Sequence, residues 1–168
     1  NAAIVVTVDY KKSFGDNLFA GLEFRRKLER EAQKLVLSAG GTKQLPAQRL
    51  TDFISSKPGD VPATSCPSGI VPANLHEYMP KNLRTALISA FENFDRNMKG
   101  FIHPDALLVG VESRTSCPLR ITRDKDSLQS VSHRGLYPTG EGAGYAGGIT
   151  SAACDGILIA EKIAANPA

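Results

Sequence analysis

Cysteine is scarce in this chain and poorly spaced for a structural task. Cys66, Cys117 and Cys154 form an odd set with no Cys-x-x-Cys pair. That argues against a disulfide framework and against a zinc site, and it makes a reducing cytoplasm the expected compartment. His76, His103 and His133 fall in separate stretches without short metal-ligand spacing, so no metal site is expected. There is no Gly-x-Ser-x-Gly elbow and no Walker-type loop. A phosphate-binding hydrolase would therefore lack both a nucleophile and a metal cluster. No apolar run approaches the roughly 20 residues that span a bilayer. The opening apolar run from Ala3 is too short for a signal peptide and has no basic flank. A formal net charge of +3 is too small to argue for nucleic acid.

What remains is the composition of a soluble globular protein. The chain has 168 residues, 42% of them hydrophobic and 22% charged, enough for one domain core or one domain plus a fragment. There is no initiating Met, and Asn1-Ala2 reads as the remnant of a cleaved tag. A piece cut from a longer protein is expected.

The β-branched run Ala3 to Tyr10 predicts a strand. Leu18, Leu22, Leu28, Ala32, Leu35 and Val36 share one face of a helix that starts at Asp16 or Asn17 and ends at Ala39-Gly40-Gly41. Pro46 suits the first turn of a short helix reaching Phe53. Lys57 to Pro72 reads as an extended loop with a turn at Pro67-Ser68-Gly69. Leu75 to Met79 forms one helical turn. Pro80 then opens a second long helix carrying Leu83, Leu87, Ala90, Phe91, Phe94 and Met98, closed by Gly100. Ala106 to Glu112 and Pro118 to Thr122 read as strands, Arg123 to Ser130 as a polar link, and Ser151 to Ala164 as a last helix. The sum is an α+β fold. Residues 1–104 would form a helical subdomain with an N-terminal strand, and 105–168 the strands, a glycine loop and a closing helix, with the seam near Gly100 to Asp105.

Six glycines fall between Gly135 and Gly148. Such density allows positive φ and close backbone approach to a ligand. The helix beginning near Gly148 points free N–H groups and the positive end of its dipole at the loop, which suits an anionic or electron-rich group. Glu141 lies inside the loop, where a carboxylate accepts hydrogen bonds from sugar-like hydroxyls. Nearby, Val111 to Pro118 carries Glu112, Arg114, Thr115 and Ser116. Arg114 can clamp a carboxylate in bidentate fashion. It can equally pair with Glu112 or a surface neighbour. Arg120 and Arg123 alternate around Ile121 and read as surface charges. Cys117 has no identifiable partner base, and Cys154 reads as packed within its helix.

The run Thr139-Gly140-Glu141-Gly142-Ala143-Gly144-Tyr145-Ala146-Gly147-Gly148-Ile149 resembles the C-terminal FAD motif of two-dinucleotide-binding flavoproteins. It is closest to the bacterial FAD-dependent dehydrogenases called NAD(FAD)-utilising dehydrogenases. The resemblance is strongest from Gly110 to Ile163, and Gly21-Leu22-Glu23-Phe24 and Pro46-Ala47-Gln48-Arg49 add to it. It implies that Gly140, Glu141 and Gly142 hold the ribityl chain or pyrophosphate of FAD. Gly147, Gly148 and Ile149 would offer backbone donors beside the isoalloxazine, and Arg114, Thr115 and Ser116 would contact substrate. NAD(P)H is implied as a co-substrate.

The N-terminal Gly-x-Gly-x-x-Gly turn that seats the ADP half of FAD has no counterpart in the first part of this chain. On the resemblance, the missing turn lies upstream and the helical part is an insert. The isolated chain is then expected to be inactive, to bind FAD weakly or not at all, and to self-associate through exposed surface. The other reading from the same absence is a non-enzymatic interaction module that keeps an ancestral glycine loop.

Overall fold

The apolar stripe Leu28, Ala32, Leu35 and Val36 has the period of a helix, and burying it organises one half of the chain. A computed structural model describes residues 2–165. Asn1, with the tag-remnant reading, lies outside the described residues, as do 166–168. The elements are α1 (Tyr10–Phe14), α2 (Ala20–Ser38), β1 (Leu45–Arg49), α3 (Leu50–Ile54), β2 (Ile70–Pro72), α4 (Lys81–Asn97), β3 (Leu107–Val109) and α5 (Ile149–Ala165). The fold is α+β. Two compact units are present: the described residues up to Asp9 with Phe24–Ser113, and Tyr10–Glu23 with the described residues from Arg114 onward.

The first unit has an aromatic core. Ala32, Leu50, Phe53, Leu75, Tyr78 and Phe91 form its buried cluster. Phe53 meets Phe91 edge-on at 6.2 Å, and Phe91 stacks on Phe101, a geometry that adds to plain burial. Pro80 stands at the N-terminus of α4 and Gly100, with φ +89°, lies just beyond its end. Asp95 closes that turn by accepting from the Gly100 and Ile102 amides. Gly40 and Gly41 end α2 by donating to the Leu37 and Val36 carbonyls.

A three-stranded sheet lies in the same unit, in the order β2-β1-β3. β1 runs parallel to β2, with Leu45 opposite Ile70, and antiparallel to β3, with Ala47 opposite Val109. Pro46 therefore lies in a central strand and does not open a helix; the helix begins at Leu50. Proline usually forfeits a ladder bond there. Pro46 keeps its acceptor in the ladder: the Gly110 amide, just beyond the end of β3, donates to its carbonyl. β2 emerges at the end of the loop predicted from Lys57, and the turn at Pro67-Ser68-Gly69 is present, with Gly69 donating to Cys66.

Other strand expectations change. Ala3 to Asp9 forms neither strand nor helix, with Ile4, Val6 and Val8 half-buried and Val5 and Thr7 exposed, and Tyr10 opens α1; the run pairs with no strand among the described residues. Its composition favours a strand, yet a ladder also needs a partner edge. The strand expected over Ala106 to Glu112 shortens to β3, and Pro118 to Thr122 forms none. Residues 105–113 join β1 through β3 and so belong with the first unit.

Gln48 locks this unit. It is 1% exposed. Its side-chain amide donates to the Lys57 carbonyl at 2.8 Å and accepts from the Leu75 amide at 3.0 Å, so two loops hang from one strand residue. Gln48→Leu leaves both backbone groups without that partner. It is expected to cost about 2 kcal/mol in chemical denaturation, and a loss below ~0.5 kcal/mol would show that the loops find other partners.

Candidate functional site

Two glycines shape the loop before α5. Gly140 and Gly144 have φ of +67° and +83°, values that cost other residues energy. A Cβ on Gly144 would also collide with the Leu119 carbonyl. Between them the chain turns back: the Tyr145 amide donates to the Gly140 carbonyl and the Gly144 amide to the Glu141 carbonyl, both at 3.0 Å. Segment 119–121 runs alongside. The Ile121 amide donates to Ala143, and Arg120 Nε to Gly144. A turn offers a strand too few partners in line, which is why Pro118 to Thr122 stays irregular.

Arg123 and Asp155 hold the loop from behind. Their side chains are 9% and 11% exposed and meet in a two-pronged pair at 2.6 and 3.0 Å. Asp155 also accepts from the Gly140 amide at 2.8 Å and the Thr139 hydroxyl at 2.9 Å. Arg123 also donates to the Pro138 carbonyl, and its guanidinium lies 3.7 Å from the centre of the Tyr145 ring. The Tyr145 hydroxyl donates to the Ile121 carbonyl and accepts from the Arg123 amide. Arg123 is therefore an internal cation, where its sequence context predicted a surface charge. Asp155 was not anticipated. Its signal was visible, since it is the one charged residue between Ile149 and Ala160.

The front of the loop carries the predicted site. Glu141 and Arg114 come together at 3.0 Å, both partly exposed. Arg114 thus pairs with the loop acid and not with Glu112. Thr115 and Ser116 are exposed, and the Thr115 carbonyl lies 3.9 Å from where a Gly147 Cβ would stand. The candidate substrate run and the candidate cofactor loop are therefore neighbours. Gly142, Gly147 and Gly148 are exposed, while Gly140 is buried. Ile149, at the first turn of α5, is 94% exposed. Ser151 ties that turn by accepting from the Gly148 amide. Cys117 donates weakly to the Gly142 carbonyl. Cys154 is exposed, not packed.

Elsewhere the options are few. A shallow groove of about 560 Å³ in the first unit, lined by residues including Leu35, Asp60, Asn74 and Glu77, contains none of the predicted site residues. Among the described residues there is no group of three or more His, Cys, Asp or Glu placed to hold a metal. None of the helices described is long and apolar enough to cross a membrane.

Residues 1–115, more than half the chain, match a family described as FAD-dependent protein, C-terminal domain-like. The chain belongs to this family. The match stops at Thr115, ahead of the glycine loop. A protein of Clostridium beijerinckii described as "Uncharacterized protein" is 44% identical over 167 residues, covering 97% of this chain. The chain spans 30% of the length of that relative.

The pair at the back of the loop has a consequence for acid stability. Arg123 chiefly, with the Gly140 amide and Thr139 hydroxyl, holds the Asp155 carboxyl well below the usual carboxylate range, against the opposing effect of burial. The folded value lies below the unfolded one. The pair's contribution is thus complete above the unfolded value of about 4 and is lost as the pH falls below it toward the folded value. Wild type should lose more stability between neutral pH and pH of about 3 than Asp155→Asn, measured by thermal unfolding at each pH. Equal acid slopes would remove the pair from the account. At neutral pH, Arg123→Ala leaves a largely shielded carboxylate without its counter-charge and should cost about 2 kcal/mol.

Proposed function

We propose that this chain is the C-terminal part of an FAD-dependent oxidoreductase, a dehydrogenase of the NAD(FAD)-utilising type acting in a reducing cytoplasm. The observation that carries the reading is the placement of Glu141 on a glycine turn directly before the N-terminus of α5, beside Arg114. Family membership supports FAD as the cofactor of the longer protein.

The residues present fit one end of that cofactor. Glu141 is a partly exposed acceptor suited to ribityl hydroxyls, Gly140 sets its backbone, and at Gly142 a Cβ would meet nothing within 4 Å. The amides of Gly147, Gly148 and Ile149 stand at the start of a 17-residue helix, where donors and dipole favour negative charge. Arg114, Thr115 and Ser116 would face the substrate. Bound flavin would supply the redox step by exchanging a hydride at its N5. This chain would orient the cofactor and an anionic substrate group. The resemblance supports a nicotinamide co-substrate. The ADP end finds no strand–turn–helix unit here: Gly142-Ala143-Gly144-Tyr145-Ala146-Gly147 has the Gly-x-Gly-x-x-Gly spacing, but no strand leads into it among the described residues.

Half a dinucleotide site gives little preorganisation. The isolated chain is therefore expected to be colourless and inactive. The visible absorption of the full-length protein, purified without added cofactor, tests the reading beside this chain. A flavin band in the former and none in the latter is the expected result. A colourless full-length protein that takes up no FAD would remove the oxidoreductase and leave the interaction module.

Surface exposure adds a second expectation. Ile149, Ile157, Leu158 and Ile163 of α5 are exposed, although a helix this apolar is normally buried. The proposed cover is the rest of the FAD-binding domain. Without it, the isolated chain should self-associate in light scattering, and Ile157→Glu should reduce the association. A clean monomer at all concentrations would count against an uncovered face.

A further inference from the structure

We infer that Asp155 is the positioning residue for Glu141, acting through the backbone before it and never touching the ligand. The inference rests on the reading of Glu141 as the ribityl-binding acid. Glu141 has little of its own to fix it. Its ion pair with Arg114 is partly exposed on both sides, and such pairs hold geometry weakly. Its direction must then come from the main chain that carries it.

That main chain is anchored at one carboxylate. Gly140, the residue before Glu141, gives its amide to Asp155 at 2.8 Å, and Thr139 gives its hydroxyl at 2.9 Å. Pro138 is held one step further back by Arg123, which is itself bound to Asp155. Beyond Glu141, the turn closes onto the same point: Tyr145 donates back to the Gly140 carbonyl, and its ring lies beneath the Arg123 guanidinium. Two arginine N–H groups, one amide and one hydroxyl use the acceptor capacity of the carboxylate. A group so occupied has no chemistry left for a substrate, but it fixes φ and ψ at the position that aims Glu141. Arg123 supplies the counter-charge that lets the largely shielded carboxylate stay ionised.

This assignment separates positioning from stability. Asp155→Asn keeps an oxygen for the Gly140 amide and loses the charge. Arg123→Gln loses the charge pair and leaves Asp155 in place. Asp155→Ala loses everything. The test uses the full-length protein, with FAD titrated by flavin fluorescence and with amide hydrogen exchange over residues 139–142 followed without FAD.

Asp155→Ala should weaken FAD about tenfold and speed exchange over 139–142 about tenfold, as expected for losing one charge-assisted bond. Asp155→Asn and Arg123→Gln should melt at lower temperature yet hold FAD within about threefold of wild type. FAD loss that simply tracks melting temperature across the variants overturns the inference. So does unchanged exchange in Asp155→Ala. If that variant does not fold, the other two decide, since loss of FAD in both as large as their loss of stability predicts a structural role only. Wild type that binds no FAD would sink the flavin reading instead, and hydrogen exchange alone would then decide whether Asp155 sets the loop.

Discussion

The second unit depends on one ion pair that is largely shielded from water. Between Arg114 and Gly148 there is no helix and no named strand, so the backbone polar groups of that stretch find few partners in regular ladders. They must be satisfied by side chains and turns. Arg123 and Asp155, 32 residues apart, bring the polar link and α5 to the same loop. Removing either partner would leave a charge in a place with little water, which costs more than the pair itself contributes. The same feature that stabilises the loop therefore makes it intolerant of change.

The first unit meets the same demand differently. Its sheet is small, with two strands of three residues, and cannot pair much backbone. Phe53, Phe91 and Phe101 supply apolar contact, and Gln48 satisfies the two loops that the sheet leaves open. A buried amide in one unit and a largely shielded ion pair in the other do equivalent work. Each holds loops that have no ladder to join.

Legibility in the sequence follows from length and from locality. α2 and α4 run for 19 and 17 residues, long enough for their apolar period to stand out, and Pro80, Gly40 and Gly100 punctuate them with local chemistry. β2 and β3 are too short to show alternation. β1 contains Pro46, and only its partners β2 and β3 show that this proline lies in a strand, a fact no local window contains. Ala3 to Tyr10 has strand composition without a strand partner. At the site, Glu141 and the glycines were legible because a motif carries them in one run. Arg114 was legible as a functional candidate, but its pairing with Glu141 was not. Arg123 was opaque because it looks ordinary alone; Asp155 stands out as the one charge in its stretch of α5, but only the fold supplies the partner that makes the two internal.

The two faces of the loop differ in a way that bears on what the loop is for. Its back is saturated: Asp155, Arg123 and Tyr145 have partners at ordinary distances. Its front is not. Gly142, Gly147, Gly148 and Ile149 are exposed, and Glu141 has a single, partly exposed partner. A loop that served only to connect a link to a helix would have no need of a rigid back, because exposed turns tolerate motion. A fixed back behind an open front is what the proposed binding role would need, since orientation must be set before a ligand arrives. On that reading the glycines would serve access as well as turn geometry: at Gly142 a side chain would stand in open space.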